Sequence, residues 1–507
     1  MTTALPVRTV FALTSLCLLP HGAAASEPAG ALIREADPLP DQPDIVVASI
    51  GNAAVNHAGG FAGSLTSEDD QGNTISHVWG TATGADPMLI RSEGQFDDLL
   101  QTSFETFFGL SDAGSIGYSA ISISSTAGVT LDGAWRDDDN LLNELDPVPP
   151  LPGQFSTFNS RVGITGNNVL YWVGGITDTQ GGSTQNRALF TASPDAGTID
   201  AVLVGGQMIT GVPEPIETGS NNIDFDVRFS ELGSSYITKV QVDTGSNSDD
   251  DVVVIDGAAL AIGLTVVREQ NPVPPMIGGL PDERWDNFDF FGITEAGRYL
   301  FTGDTDASTS MDEIVVLDGV IELREGTPVD LPSGETGVLS GSIEGAWLNL
   351  DGDVALIWDV DLPDGSNVEA LLVNGEVVLL EGDAVDWNND GVIDAGDEGA
   401  VVTNFTGISA LAMGDRDDQG RVRVYVPADV DLTDGSTLEG LFCLPVLVGE
   451  PACPGDIDGS GAVGVDDLLA LLAAFGETEP NPADLDGSGV VDINDLLILL
   501  AAWGPCP

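Results

Sequence analysis

A short phrase recurs along this chain: an aliphatic run, an acid, then a polar or proline turn. It reads ALIREADPLP (31–40), MLIRSEGQFD (88–97), LLNELDPVPP (141–150), LTVVREQNPVPP (264–275), VIELREGTPVD (320–330) and EVVLLEGDAVD (376–386), with a degenerate copy at QMITGVPEPIE (207–217). Alignment on the acid puts Glu35, Glu93, Glu144, Glu269, Glu325 and Glu381 in register. The last two steps are both 56 residues (325−269 and 381−325), and the first is 58 (93−35). Self-similarity at a fixed period of this size restricts a chain to repeat architectures, because each unit must bury its faces against its neighbours.

Each unit also carries hairpin signals. Strands ending in LLVNG (371–375), IVVLDG (314–319), VVVIDG (252–257) and AVLVGG (201–206) finish in dipeptides that tolerate positive φ, as two-residue hairpin turns require. An earlier hairpin recurs at 53–65, 107–120, 161–173, 227–239, 290–303, 345–358 and 414–426, which makes seven units of about four strands. The seventh unit has a strand, GLFCLPV (440–446), but lacks the phrase that should follow it, and that phrase stands alone at 31–40. A ring accounts for this, since the first strand would complete the last unit. The expected fold is therefore mainly β: a seven-bladed β-propeller over 26–450 closed by an N-terminal strand, followed by a small α-helical domain at 451–507. A pair of β-sandwiches is the competing architecture.

Composition supports a packed chain of unusual charge. Apolar residues make up 42%, enough to build cores. Lys and Arg total 15 against 81 Asp and Glu, a net charge of −66, and Lys239 is the only lysine. Nucleic acid and anionic membrane surfaces are excluded as direct partners by repulsion, whereas divalent cations and high ionic strength suit such a surface. Residues 1–25 read as a secretory signal: Arg8, an apolar run from Val10 to Leu19, then small residues before a cleavage site after Ala25. No later run is long enough for a transmembrane anchor. Export would place Cys443, Cys453 and Cys506 in an oxidising compartment. Cys453 and Cys506 bracket the final segment and are the candidate disulfide; other pairings with Cys443 stay open.

That final segment repeats itself with an offset of 28 residues: DIDGSGAVGVDDLLALLAAFG (456–476) and DLDGSGVVDINDLLILLAAWG (484–504). Calcium takes six to eight hard oxygens, and alternate positions of a twelve-residue loop turn them inward around a glycine at position 6. The first loop offers Asp456, Asp458, Ser460, the Ala462 carbonyl and Asp467; the second offers Asp484, Asp486, Ser488, the Val490 carbonyl, Asp492 and Asp495. An apolar helix follows each loop. Two such loop–helix repeats with Asp at position 12 and no entering helix resemble a type I dockerin. The resemblance covers 453–507 and implies Ca²⁺ as cofactor and a cohesin-like partner that attaches the chain to an extracellular scaffold or cell surface. It also implies an association with polysaccharide-degrading enzymes. The Ser-Thr pair common at positions 10 and 11 is replaced by Val465-Asp466 and Ile493-Asn494, so the partner expected is a cohesin-like or other extracellular module. A third candidate loop is DWNNDGVIDAGD, with Asp386, Asn388, Asp390, the Val392 carbonyl, Asp394 and Asp397 in ligand positions and a strand, not a helix, after it.

Little in the remainder points to catalysis. His57 and His77 are isolated, and no G-x-S-x-G, H-E-x-x-H or P-loop pattern occurs. Glycosidases need only two carboxylates, a test without power among 81 acids. Asp132, Asp318 and Asp351 read as hairpin-turn residues. Trp79, Trp172, Trp285, Trp347 and Trp358 read as blade core before sugar platforms. The function expected is an exported, non-catalytic binding or display propeller tethered through a calcium-dependent tail, with a glycan as one possible ligand. The alternative is an extracellular polysaccharide hydrolase carrying that tail.

Overall fold

The computed structural model describes residues 28–448 except 40–41, 69–70, 85, 97–98, 125–127, 149–150, 158–161, 179–181, 195–197, 247–248, 407–409 and 418. In the tail it describes 455–457, 462–477, 481–483, 485 and 490–505. The predicted signal at 1–25 and both Cys453 and Cys506 lie outside the described residues. The chain divides into Glu27–Val446 and a unit containing Leu447–Pro507, close to the boundary expected at 450.

Glu27–Val446 is a seven-bladed β-propeller. Among the described residues, seven antiparallel sheets of four or five strands follow one another over 38–92, 95–143, 154–204, 228–259, 291–324, 328–380 and 401–447. The last sheet takes its outermost strand from the other end of the chain. Gly30–Arg34 pairs with Thr437–Leu447, with Gly30 opposite Cys443 and Arg34 opposite Gly440. The phrase missing from the seventh unit is thus supplied by the first strand, as a ring requires.

Strand alternation explains the cores. Successive residues point to opposite faces of a sheet. Both faces of a blade are covered, so both are apolar. Trp172 joins Phe155 and Phe190 in a cluster with Ala134 and Leu142 of the second blade, while its neighbour Val173 joins Val240, Val252 and Val254 of the fourth. Val253, between two residues of that second cluster, faces Phe291, Phe301 and Val316 of the fifth blade. Ile33 of the closing strand packs with Leu441, Tyr425, Phe61 and Trp79, sealing the seventh blade to the first. Trp79, Trp172, Trp285 and Trp358 are buried core residues, as expected.

The third blade departs from the expected register. AVLVGG was expected to be a third strand ending in a hairpin turn, but Ile199–Val204 is the outermost strand, and Asn186–Ala192 is the third. The degenerate copy at 207–217 forms no strand, only isolated bridges of Met208 with Pro215, Thr210 with Ala258 and Ile216 with Val242. Asp318 and Asp351 do occupy turns, each before a glycine of positive φ (Gly319, Gly352). Asp132 instead sits within strand Thr130–Arg136, where Ser119 donates to its Oδ1.

In the tail, helices Val465–Ala473 and Ile493–Ala501 are joined by a short ladder between Ala462–Val463 and Gly504–Pro505. Val463, Leu471, Val491 and Leu499 form its core, in pairs 28 residues apart. Among the described residues no helix is long and apolar enough to cross a membrane.

Candidate functional site

The first hairpin of every blade brings its inner strand to a common channel. Segments at 52–57, 107–110, 162–166, 227–231, 291–293, 347–349 and 413–415 line it, one from each blade, around a cavity of about 150 Å³. Trp347 is the one predicted tryptophan that reaches this lining, with Arg228 5.3 Å over its ring.

The turns at one rim of the channel share a local design. Each opens on a side chain that caps its own turn: Asn56 accepts from Gly60 N, Ser111 from Ser115 N, Thr165 from Val169 N, Ser230 from Ser235 N, Thr294 from Arg298 N and Asn349 from Asp353 N. The next residues lock one blade to the next. His57 N donates to Asp112 Oδ1 (2.9 Å), Asp112 N to the Gly166 carbonyl (3.3 Å), and Gly166 N to the Glu231 carbonyl (2.8 Å). Glu295 N donates to Glu231 Oε2 (2.6 Å), and Arg298 Nη1 to the Asp351 carbonyl (3.4 Å). Leu350 N donates to Asp415 Oδ1 (3.0 Å), and His57 Nδ1 meets Asp415 Oδ2 at 2.7 Å, closing the circuit. His57, isolated in the sequence, therefore joins the first blade to the seventh.

This circuit sets the rim's electrostatics. Burial alone would lower the His57 pKa, but the Asp415 hydrogen bond and the charges of Asp415, Asp112 and Glu231 outweigh it and raise the value. Glu231 is raised by burial. For Glu295 desolvation acts upward, but donors from Ser230, Ser234 and Leu232 outweigh it and lower the value. His77 is no rim residue: it lies buried between Ser67 and Ser92 hydroxyls, and desolvation lowers it to about 4.

The periodic acids of the sequence have a different place. In every blade the residue after the outer strand donates its N–H to the carbonyl heading the third strand: Glu93 to Ser76, Glu144 to Asp132, Gly205 to Arg187, Glu269 to Asp251, Glu325 to Glu313, Glu381 to Glu369 and Glu35 to Glu439. The glutamate carboxylate then accepts from a nearby backbone N–H, as Glu144 does from Asp132, Glu269 from Asp251 and Glu325 from Gly341. The acids thus fasten blade edges, which explains their period. Burial pushes Glu269 and Glu325 to about 7. Carboxylate oxygens of Asp250, Asp251 and Glu269 lie within 4.8 Å of one another, a grouping that would suit a cation.

The three predicted calcium loops share one geometry where they are described. The position-12 carboxylate of the first tail loop, Asp467, accepts from Ile457 N (2.7 Å) and Gly464 N (2.8 Å); that of the second, Asp495, accepts from Leu485 N and Asp492 N (both 2.6 Å). In the third loop Asp397 accepts from Asp394 N (2.6 Å) and Asn388 N (3.2 Å). The helix-entry residues nearly superpose in dihedral space: Gly464 at φ −142°, ψ −159°, Asp492 at −137°, −158°, and Asp394 at −145°, −161°. Asp467, Asp495, Asp386 and Asp397 are buried, and Gly391 takes the positive φ (91°) wanted at position 6. Asp456 is half-buried, while Asn388, Asp390, Val392 and Val490 are exposed. Asp458, Ser460, Asp484, Asp486 and Ser488 lie outside the described residues. The third loop enters a single 3₁₀ turn, Ala395–Asp397, and its Asp386 backbone pairs with residues 29 and 31 beside the closing strand.

Several apolar residues of each tail helix, and one aromatic just after it, are not in the core. Val465, Leu469, Leu472 and Phe475 are exposed, as are Ile493, Leu497, Leu500 and Trp503, each 28 residues after its counterpart.

No protein-family model matches the chain, and no curated protein matches it. The dockerin resemblance is therefore carried by its residues alone. Among solved structures the chain is similar to a Trypanosoma rangeli sialidase bound to the inhibitor DANA, at 10% identity and TM-score 0.33, covering 87% of this chain and 64% of that one. It is also similar to an α-L-arabinofuranosidase from Fusarium graminearum (8% identity, TM-score 0.28, 83% and 98% covered) and to a Penicillium chrysogenum α-L-arabinanase complexed with arabinobiose (10%, 0.27, 83% and 98%). The chain thus spans less than two thirds of the sialidase's length. The blade count rests on this chain's own strand pairing.

Proposed function

We propose that this chain is an exported binding propeller attached to an extracellular scaffold or cell surface through a calcium-dependent, dockerin-like tail. The observation that carries the reading is the duplicated loop–helix unit with its buried position-12 aspartates gripping the loop backbone in the same way twice. A carboxylate oxygen has two lone pairs, so an oxygen bound to a backbone N–H retains capacity for an ion. Calcium would be held by the oxygens of Asp456, Asp458, Ser460, Ala462 and Asp467, and of Asp484, Asp486, Ser488, Val490, Asp492 and Asp495; the Asp386–Asp397 loop would pin the ring's seam. The ion would neutralise carboxylates that otherwise repel, and so order the helices that carry the repeated apolar stripe. Residues 451–507 contain no Lys or Arg, so the matching partner is a protein with an apolar patch bordered by basic side chains. Chelation of the full chain should remove the helical circular dichroism of the tail and leave the propeller folded, its melting transition lowered only by loss of the seam ion. Retention of that helical signal in chelator would refute the reading.

A second reading, a glycan-active hydrolase, has one specific observation in its favour. Glu231 and Glu295 meet at the channel rim beside His57 with pKa values pushed apart, the pattern of an acid and its partner carboxylate. Both also latch neighbouring turns, which accounts for their positions without catalysis. A polysaccharide hydrolysis screen decides: activity lost in Glu231→Gln with folding retained would establish the enzyme, and no activity on any substrate would remove it.

A further inference from the structure

Two side chains interrupt the pattern of the central channel. Two residues before the turn-capping side chain, the inner strand has Ala54, Gly109, Gly163 and Gly292 in the first, second, third and fifth blades, but Arg228 in the fourth and Trp347 in the sixth. All six positions line the same cavity of about 150 Å³. Gly292 belongs to the blade between the two large residues, and a Cβ there would press on Leu348 Cβ at 2.7 Å. With no side chain at Gly292, Arg228 and Trp347 meet across the fifth blade, the guanidinium carbon 5.3 Å from the ring centre.

Arg228 has donors without acceptors. A guanidinium carries five N–H donors in a rigid fork. Arg298, Arg324 and Arg416 each donate to a carboxylate, but Arg228 makes no hydrogen bond among the described residues. Its one ion-pair partner there, Asp226 Oδ1, lies 3.8 Å from Nε, beyond hydrogen-bond reach. The Arg228 side chain is 27% exposed and lines the cavity, so its donors are open to a bound group rather than sealed in the core. It is the only Lys or Arg among the described lining residues. The half-buried rings of Phe108, Tyr171 and Phe229 share that lining, the last two stacked at 4.6 Å, and Glu231 and Asp415 stand at the rim.

From the broken pattern and the unused fork we infer that the channel binds a small monocarboxylate with an apolar stem, the carboxylate on Arg228 and the stem against the aromatic rings. A guanidinium held over Trp347 is pre-organised for two parallel bonds to a carboxylate. One fixed cation matches one negative charge, whereas a dianion would keep a charge uncompensated beside Glu231 and Asp415. At about 30 Å³ per water, the cavity replaces about five waters, which fits a short acid or the carboxylate end of a longer molecule. The chain's acidic field opposes any anion from a distance, but salt screens that field over ~3 Å at 1 M and screens a half-buried pair much less. The inference rests on the propeller's proposed role in binding and names its ligand class.

The test is saturation-transfer NMR on the full chain in about 1 M sodium chloride, with propionate, butyrate and benzoate set against butyramide, benzamide and benzylamine. At least one carboxylate should bind, and Arg228→Gln should weaken it about tenfold or more. Arg228→Lys, which keeps the charge and loses the fork, should fall between. Because Arg228 makes no hydrogen bond within the described protein, Arg228→Gln should keep the parent's circular dichroism and melting curve. Trp347→Phe, a smaller ring in the same place, is the second variant and should weaken binding severalfold. Chelator should leave binding unchanged, so the channel is read separately from the tail. Binding of no carboxylate, binding of the amides or the amine as tight as that of the acids, binding unchanged in Arg228→Gln, or binding abolished by chelator would overturn the inference.

Discussion

Truncation of one side chain in the closing strand tests the ring most sharply. Ile33 is 4% exposed on a five-residue strand and packs against Leu441, Phe61 and Trp79. Ile33→Ala removes three carbons, about 2.4 kcal/mol at ~0.8 kcal/mol per buried group. The cavity left between the seventh and first blades adds to this, giving about 2–5 kcal/mol. At ~2 cal/mol/K per residue, a propeller of this size has an unfolding entropy near ~0.9 kcal/mol/K, so the melting temperature should fall by about 2–6 °C. Urea unfolding followed by tryptophan fluorescence reads the same loss directly. Leu264→Ala, at a fully exposed leucine, is the control and should stay within ~0.5 kcal/mol. If Ile33→Ala behaves like that control, the first strand does not complete the seventh blade.

Other consequences follow from the rim and the blade edges. Asn349 is buried, accepts from Asp353 N and donates to the Gly414 carbonyl, so Asn349→Ala should cost about 2–3 kcal/mol in the same unfolding assay. The edge glutamates make stability depend on pH in a definite sense. Glu325 is raised from 4.5 to about 7, so the folded chain binds more protons than the unfolded one between those values, and stability is lost as pH rises through that window. The propeller should melt higher at pH 5 than at pH 8, and Glu325→Gln should flatten that slope; an unchanged slope would contradict the assignment.

How far the fold was legible depended on which residues carried it. The seven first hairpins and the orphan strand at 31–40 were readable because turn chemistry and strand patterning are local. The third blade was misread because Gly205 stands where the aligned acid should be, and Asn222, seventeen residues on, does the glutamate's work. The rim circuit was hidden for another reason. Its partners, such as His57 with Asp112 or Leu350 with Asp415, are 55 and 65 residues apart and meet only once the ring closes. The tail was the reverse case: its 28-residue repeat foretold two loop–helix units, but the pattern alone did not separate the apolar residues that pack from those that stay exposed.

Calorimetric titration of Ca²⁺ into the metal-stripped full chain bears most directly on the proposed role. The account expects heat of binding that falls when Asp467 and Asp495 are both changed to Asn, because those carboxylates close the two tail loops. Absence of uptake by the native chain, or uptake identical in the double variant, would contradict it.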